Sequence, residues 1–353
     1  MRLHVARTPA FVQVMAVGVG EAEVVALGVG GIGLGDVPGR AHPANSEAAA
    51  TTDRSIGELV RMGVIRAGAA ERNTGDGEFT PMRYGVVLPG GTATQQLELA
   101  LIAEQAGWDG VFVWEAAYGV DAWTLLAAIA AKTTRIKLGT MLTPLPWRRP
   151  WKVASQVVTL DQVSAGRAIL TVGLGAVDTG LPETGEITDL RTRAEYLDEG
   201  IDLVRTLWEG GSSYLGRHYT FDRQRFDLAE VGRPVQERIP IWVVGVWPRP
   251  RSMQRVLRCD GVVPQFAVAG REGRPDDVRE LRTWLAERGR DDIDVVVDGE
   301  TPGDDADAAI AKVDPWARAG CAWWLETRWQ MPHHTEERMR EVRERLISGP
   351  PSA

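Results

Sequence analysis

From residue 82 onward the chain alternates short apolar runs with amphipathic stretches eight times, and this rhythm restricts the fold more than any other feature. The apolar runs have the length and flanking turn residues of buried strands, and the following stretches repeat apolar residues at helical spacing. Strands joined by helical crossovers lie parallel in one sheet. The pattern predicts strands over residues 83–88, 110–114, 136–141, 168–174, 241–245, 261–264, 293–297 and 322–326. It predicts helices over residues 95–106, 122–132, 152–163, 190–208, 251–258, 276–288, 305–319 and 335–347.

Eight strand–helix pairs within about 270 residues favour a closed α/β barrel of the (β/α)8, or TIM-barrel, class over an open sheet. Two irregular segments interrupt the rhythm, one over residues 177–189 and one over 210–238, an insertion before the fifth strand. Long irregular loops in compact domains commonly act as lids or binding walls. We therefore expect both segments to shape a binding site.

The residues that exceed the length of one barrel lie at the N-terminus. Residues 1–81 contain no Lys, Trp or Tyr, whereas the remainder is rich in Trp. We interpret residues 1–81 as a low-complexity extension that is poorly ordered or arises from a misassigned start, with a short helix expected near 55–65. The barrel is expected over residues 82–348, because Met82 opens it directly, and 349–353 form a tail.

One dinucleotide-binding pattern inside the extension is discounted. Gly28, Gly30 and Gly33 satisfy the GxGxxG spacing, but residues 34–39 continue as a turn. A true fingerprint opens a helix whose N-terminus holds the pyrophosphate. A secretory leader is a further alternative, because Arg2 and Arg7 precede an apolar stretch, but Glu21 and Glu23 interrupt that stretch and it lacks a convincing cleavage site.

Composition excludes several classes of partner. The 353-residue chain is 44% hydrophobic and 25% charged, as in ordinary globular proteins, and its formal net charge of -8 argues against nucleic acid. No apolar run reaches the roughly 18 residues of a membrane span. Cys259 and Cys321 are far apart in the sequence, which suits a reducing cytoplasmic location.

Several short motifs occur together in the order and spacing of a known family. They are Pro144-Leu145-Pro146, Arg148-Arg149-Pro150, Thr159-Leu160-Asp161, residues 164–167 and residues 173–176. Together they resemble the signature of the luciferase-like monooxygenases, which are flavin- or deazaflavin-dependent barrel oxidoreductases. The resemblance covers residues 82–347 and implies an enzyme that uses reduced FMN and oxygen on a small organic substrate. Two alternatives stay open: hydride transfer with coenzyme F420, and a non-catalytic flavin-binding relative. The resemblance also implies a homodimer.

In such a barrel the C-terminal ends of the strands carry the site. With the resemblance, the expected cofactor-binding residues at these ends are Thr140, Met141, Gly173, Gly175, Ala176, Gly245, Val246 and Trp247. Glycines let a backbone approach a ligand and offer N–H donors to a phosphate. The plainer alternatives are that the glycines only end strands and that Met141 fills the core. Arg191 and Arg193 could add charge near a phosphate, and four tryptophans could wall a planar ring: Trp147, Trp151, Trp247 and Trp324.

The candidate acid–base group is Glu115. The resemblance implies a histidine just after the second strand, but here that strand ends Trp114-Glu115-Ala116. All five histidines lie elsewhere: His4, His42, His218, His333 and His334. A carboxyl group in an apolar mouth can titrate nearer neutrality, although a solvated loop carboxylate is the alternative. No metal site is expected, because the adjacent His333 and His334 are not spaced for one ion.

Overall fold

The computed structural model describes residues 71–74, 78–115, 118–177, 182–222, 232–266, 271–328 and 335–351. Eight strands form the barrel: β1 Arg83–Val87, β2 Gly110–Val113, β3 Lys137–Thr140, β4 Ala168–Gly173, β5 Ile241–Trp247, β6 Gly261–Phe266, β7 Asp294–Gly299 and β8 Trp323–Glu326. One helix follows each strand: α1 Ala93–Gln105, α2 Ala122–Ala130, α3 Pro150–Val163, α4 Leu190–Trp208, α5 Pro250–Val256, α6 Pro275–Ala286, α7 Ala306–Arg318 and α8 Glu336–Ile347.

The eight strands close into a ring of parallel pairs. Each strand pairs with the next, and β8 pairs with β1, with Trp323 opposite Arg83. This confirms the predicted (β/α)8 barrel and the position of every predicted strand and helix. The largest differences in strand ends are at β5, β6 and β7, each of which runs two residues past its predicted end.

The strand β3 is interrupted after Thr140. The peptide bond between Met141 and Leu142 is cis, and the chain then pairs with β4 again through Thr143 and Pro144. Thr143 lies opposite Val172, and Pro144 lies opposite Gly173. The residues after the break therefore form part of the rim of the barrel mouth.

Three large aromatic rings close the lower part of the barrel. Phe112 stacks on Trp242 with ring centroids 5.3 Å apart, and Trp323 packs edge-on against both rings. Glycines make this possible: a Cβ on Gly110 would lie 2.9 Å from Phe112 and from Trp323. A Cβ on Gly261 would overlap Trp242. The barrel interior is thus a packed core below the mouth, as is usual for this fold.

Two of the signature motifs stabilise the N-terminal face of the barrel. Arg167 is buried, and its guanidinium donates to four carbonyl oxygens and to the Thr133 hydroxyl, at 2.7–3.0 Å. Asp161 is fully buried and accepts hydrogen bonds from Val235 N and from both nitrogens of Gln236. Residues at this face of the barrel contribute to stability, because catalytic groups lie at the opposite face.

Two hairpins lie outside the barrel strands and helices. Glu71–Thr74 and Glu78–Pro81 form an antiparallel hairpin, so strand structure begins before the expected boundary at 82. In the insertion, Ser213–Leu215 pairs with Thr220–Asp222, and this hairpin packs on α4 through Tyr219 and Phe221. The helix expected near 55–65 lies outside the described residues. Of the helices in the described ranges, none is long and apolar enough to span a membrane.

Candidate functional site

The candidate site is the mouth at the C-terminal ends of the strands. Side chains that face the interior form one buried cluster, which includes Phe112, Met141, Trp242 and Val263. Trp114 and Val244 pack against this cluster from the mouth side and are only partly buried. Because side chains alternate along a strand, Val246, Gln265 and Asp298 share this inward orientation. The mouth therefore presents an indole, aliphatic groups and a few polar side chains.

The predicted residues of β3 and β4 do lie together, but in different roles. The Met141 side chain packs into the interior cluster, and the following peptide bond is cis. The Thr140 side chain faces away from the interior, bonding to Thr143 Oγ1 at 2.9 Å and to Thr171 O at 3.2 Å. At Gly173 a Cβ would lie 2.8 Å from Leu142, so the missing side chain makes room for Leu142 at the mouth.

The predicted residues of β5 divide between the two sides of the sheet. A Cβ on Gly245 would lie 2.7 Å from Val256, so this glycine lets α5 approach the strand. Trp247 packs edge-on against Trp284 of α6, with centroids 5.7 Å apart, and therefore lies in the helix layer. Of the predicted β5 residues, only Val246 has its side chain on the inward face.

Sequence reasoning missed the aromatic ring that faces the mouth. Each of the four tryptophans expected as walls lies outside the interior cluster: Trp147 against Arg193, Trp151 against Tyr219, Trp247 against Trp284 and Trp324 against Trp316. Trp114 packs against that cluster instead. Side chains alternate between the two faces of a strand, so the inward position of Phe112 predicts that Trp114 also points inward.

Glu115 lies at the end of β2 with both carboxylate oxygens bonded. Oε1 accepts from Trp123 Nε1 at 2.8 Å and from Thr143 Oγ1 at 2.6 Å, and Oε2 accepts from Arg148 Nη1 at 3.1 Å. Only 7% of the side chain is exposed. Burial raises the pKa of Glu115 above its usual range, whereas Arg148, Thr143 and Trp123 act in the opposite direction. Glu115 and Arg148 line a cleft of about 170 Å³ beside the start of α2.

The turn after β4 is held from the helix layer. Gly175 has a φ of 78°, and a Cβ there would overlap the Trp147 ring. Arg193, in the first turn of α4, donates from Nη1 to Leu174 O at 3.2 Å and to Gly175 O at 2.9 Å. Its guanidinium carbon lies 5.4 Å from the centre of the Trp147 ring. Arg191, by contrast, has a 77% exposed side chain paired with Glu195.

His218 is the one histidine among the described residues, and it is not part of the interior cluster. His218 belongs to the insertion hairpin, stacks on Tyr196 at 4.2 Å and bonds through Nε2 to Glu195 at 3.0 Å. His4, His42, His333 and His334 fall outside the described residues. The acid–base role of Glu115 stays a prediction.

A parallel eightfold barrel with such a mouth is the architecture of many oxidoreductases, and comparison with known proteins identifies the group. A family model described as luciferase-like monooxygenase matches residues 77–349. Because this match covers most of the chain, the protein belongs to the luciferase-like monooxygenase family. The resemblance seen in the sequence motifs is thereby confirmed.

Two curated relatives and one solved structure illustrate the similarity. A protein of Mycobacterium tuberculosis, provisionally named as a coenzyme F420-dependent oxidoreductase, is 31% identical over 62% of this chain and 65% of its own length. The 4-hydroxyprotoasukamycin monooxygenase of Streptomyces nodosus subsp. asukaensis is 34% identical over 35% of this chain and 34% of its own length. An F420-dependent secondary alcohol dehydrogenase, solved with an F420–acetone adduct, superposes with a TM-score of 0.63 at 17% identity. That superposition covers 77% of this chain and 99% of the dehydrogenase. At this identity it speaks for the fold alone.

Proposed function

We propose that this chain is an F420-dependent oxidoreductase that transfers hydride between the deazaflavin and a small organic substrate. The observation that carries the proposal is the rim at β4, where a glycine turn lies against a buried guanidinium. Gly173 lies against Leu142 and Gly175 lies against Trp147, both too closely for a Cβ, and Arg193 is only 6% exposed. Backbone N–H groups and a nearby cation suit the phosphate that F420 and FMN both carry.

The mouth also suits the planar ring of such a cofactor. Trp114 and Val244 offer apolar surface above the interior cluster, and Leu142 lies beside Gly173 at the rim. Aromatic and aliphatic side chains of this kind bind flat ring systems and exclude water. We assign ring contacts to Trp114, Leu142 and Val246, and phosphate contacts to the backbone of residues 173–176.

The redox chemistry belongs to the cofactor, which supplies hydride transfer when it is bound. The chain's own part is to orient the ring, keep water out and handle a proton. Glu115 is the proposed proton donor or acceptor: it lines the cleft beside α2, and burial raises its pKa, which favours the protonated form. The ion pair with Arg148 favours the charged form of Glu115 instead. In that form, Glu115 would hold the segment that carries Arg148 rather than transfer a proton.

The preference for F420 over FMN rests on the relatives. The family resemblance alone suggested FMN, but the mycobacterial relative with 31% identity is named for F420. An FMN-dependent monooxygenase is the second candidate, because the Streptomyces relative with 34% identity is named as a monooxygenase. Since that match spans only about a third of either protein, we rank it second.

A direct assay separates the two candidates. The purified protein is mixed with oxidised F420 and a panel of secondary alcohols, and the visible absorbance of the deazaflavin reports hydride transfer. In parallel, oxygen consumption is followed with reduced FMN and the same panel, against a protein-free control. Substrate-dependent bleaching of F420 supports the first candidate. Substrate-dependent oxygen uptake with FMN, without reaction of F420, would overturn it in favour of the second.

A further inference from the structure

Arg193 forms an unusual contact between the first turn of α4 and the turn after β4. The helix begins at Leu190 because Asp189 caps it, accepting from Thr192 N at 2.7 Å. This start places Arg193 behind the glycine turn, where it is buried and donates to the carbonyl oxygens of Leu174 and Gly175. A single guanidinium therefore fixes two consecutive peptide units.

The orientation of those peptide units has a direct consequence for the turn. A trans peptide unit is planar, so its C=O and N–H groups point in opposite directions. With both carbonyls directed at Arg193 in the helix layer, the N–H groups of Gly175 and Ala176 point to the opposite side of the turn. That side faces the barrel axis, since α4 lies outside the sheet.

Trp147 completes the arrangement. Its ring lies beside both the Arg193 guanidinium and Gly175, and its Nε1 donates to Ile187 O at 2.9 Å, which fixes the ring. Arginine can hydrogen-bond in its plane and stack through its face at the same time. Both surfaces of Arg193 are used in this way, so the side chain has little freedom to move.

The charge of Arg193 has no carboxylate partner in the described part of the chain. No Asp or Glu oxygen of those residues lies within 4.0 Å of it, and its buried Nε has no hydrogen-bond partner there. Burial lowers the pKa of the guanidinium, while Asp189 acts weakly against this. An anion bound on the far side of the turn would offset the cost of a buried cation.

We propose that Arg193 is a positioning residue that directs the Gly175 N–H group towards a phosphate of the bound cofactor. The proposal rests on the proposed function, since it assumes a phosphate-bearing flavin or deazaflavin in the mouth. Arg193 acts through the backbone in this account and does not itself touch the phosphate.

The test compares cofactors that differ only in the phosphate-bearing part. Dissociation constants are measured by fluorescence titration for FMN against riboflavin, and for F420 against its phosphate-free deazaflavin nucleoside. The ratio within each pair is the phosphate preference, which a general loss of stability would not change. It is measured for the wild type, Arg193→Gln and Arg193→Lys. Arg191→Gln is the matched control, because it removes the same charge from the same helical turn at an exposed position.

In Arg193→Gln we expect the phosphate preference to fall about tenfold or more, as for lost hydrogen bonds to a charged group, while the phosphate-free compounds bind as before. Arg193→Lys keeps the charge but lacks the planar fork, and we expect it to lose most of the preference as well. Arg191→Gln should match the wild type. Wild-type preference in Arg193→Lys, or equal weakening of both members of a pair in Arg193→Gln, would overturn the positioning role. If the wild type binds none of the four compounds, the proposed function itself fails.

Discussion

Thr143 donates a 2.6 Å hydrogen bond to Glu115, and this contact joins the end of β2 to the chain that follows the break in β3. Trp123 of α2 donates to the same carboxylate oxygen, and Arg148 donates to the other. One carboxyl group thus links two strand ends, a helix and the segment before α3. Glu115 therefore has a structural role at these strand ends whether or not it transfers a proton.

Exchange of Glu115 for Gln tests both roles. The variant keeps the size of the side chain but turns an acceptor into a donor facing Arg148, Thr143 or Trp123. We expect a loss of about 1–3 kcal/mol in the free energy of unfolding, measured by urea denaturation. Glu287→Gln, at a 65% exposed position, is the control and should change little. Wild-type turnover in Glu115→Gln would contradict the acid–base role, and wild-type stability would contradict the structural one.

The pH dependence of stability follows from the raised pKa of Glu115. The folded state favours the protonated carboxyl, so this group contributes its full stability below the unfolded value of about 4.3. That contribution is lost as the pH rises through the higher folded pKa. Relative to Glu115→Gln, the wild type should therefore lose free energy of unfolding as the pH rises from about 4. A relative gain over this range would show that the ion pair with Arg148 outweighs burial.

Gly175→Ala tests the contact with Trp147. Both Gly175 and Gly185 have positive φ values, 78° and 87°, so an alanine at either position meets a similar conformational cost of about 1 kcal/mol. Only at Gly175 would the new Cβ overlap a ring, whereas nothing lies within 4 Å at Gly185. We expect Gly175→Ala to lose cofactor affinity and to be the less stable variant by about 1–3 kcal/mol. Equal stability of the two variants would show that Trp147 gives way without cost.

Arg167→Met separates stability from cofactor binding. The substitution leaves four carbonyl oxygens and the Thr133 hydroxyl without their donor at the N-terminal face. We expect a loss of about 3 kcal/mol or more in the free energy of unfolding. Arg318→Met, with a 74% exposed side chain, is the control. Cofactor affinity, measured at a temperature where both variants are folded, should match the wild type. A selective loss of affinity in Arg167→Met would show that the two faces of the barrel are coupled.

The sequence predicted the barrel well because its signals are local and repeated. Each strand is a short apolar run, each helix shows a periodic buried face, and eight repeats compensate for uncertainty in any one of them. The prediction from sequence fails where the backbone departs from the regular alternation of strands and helices. Nothing in the residues 140–144 indicates by pattern alone that β3 stops at Thr140 and that pairing resumes at Thr143.

The candidate site was less predictable because it depends on which face a side chain takes. Trp247 and Gly245 lie at a strand end, as expected, yet both lie on the helix side of β5. The alternation of side chains along a strand predicts this position on the helix side. The role of Arg193 could not be read in that way, because its two carbonyl partners are 18 and 19 residues away in sequence and meet it only through the fold.

The barrel mouth is proposed to bind a deazaflavin, and a fluorescence titration of the purified wild-type protein with F420 and FMN tests this binding. We predict saturable one-to-one binding of F420 with a dissociation constant in or below the range of about 1 μM to 1 mM that is typical for enzyme ligands, and weaker binding of FMN. Binding of neither cofactor would contradict the assignment of the mouth, and tighter binding of FMN would contradict the choice of F420.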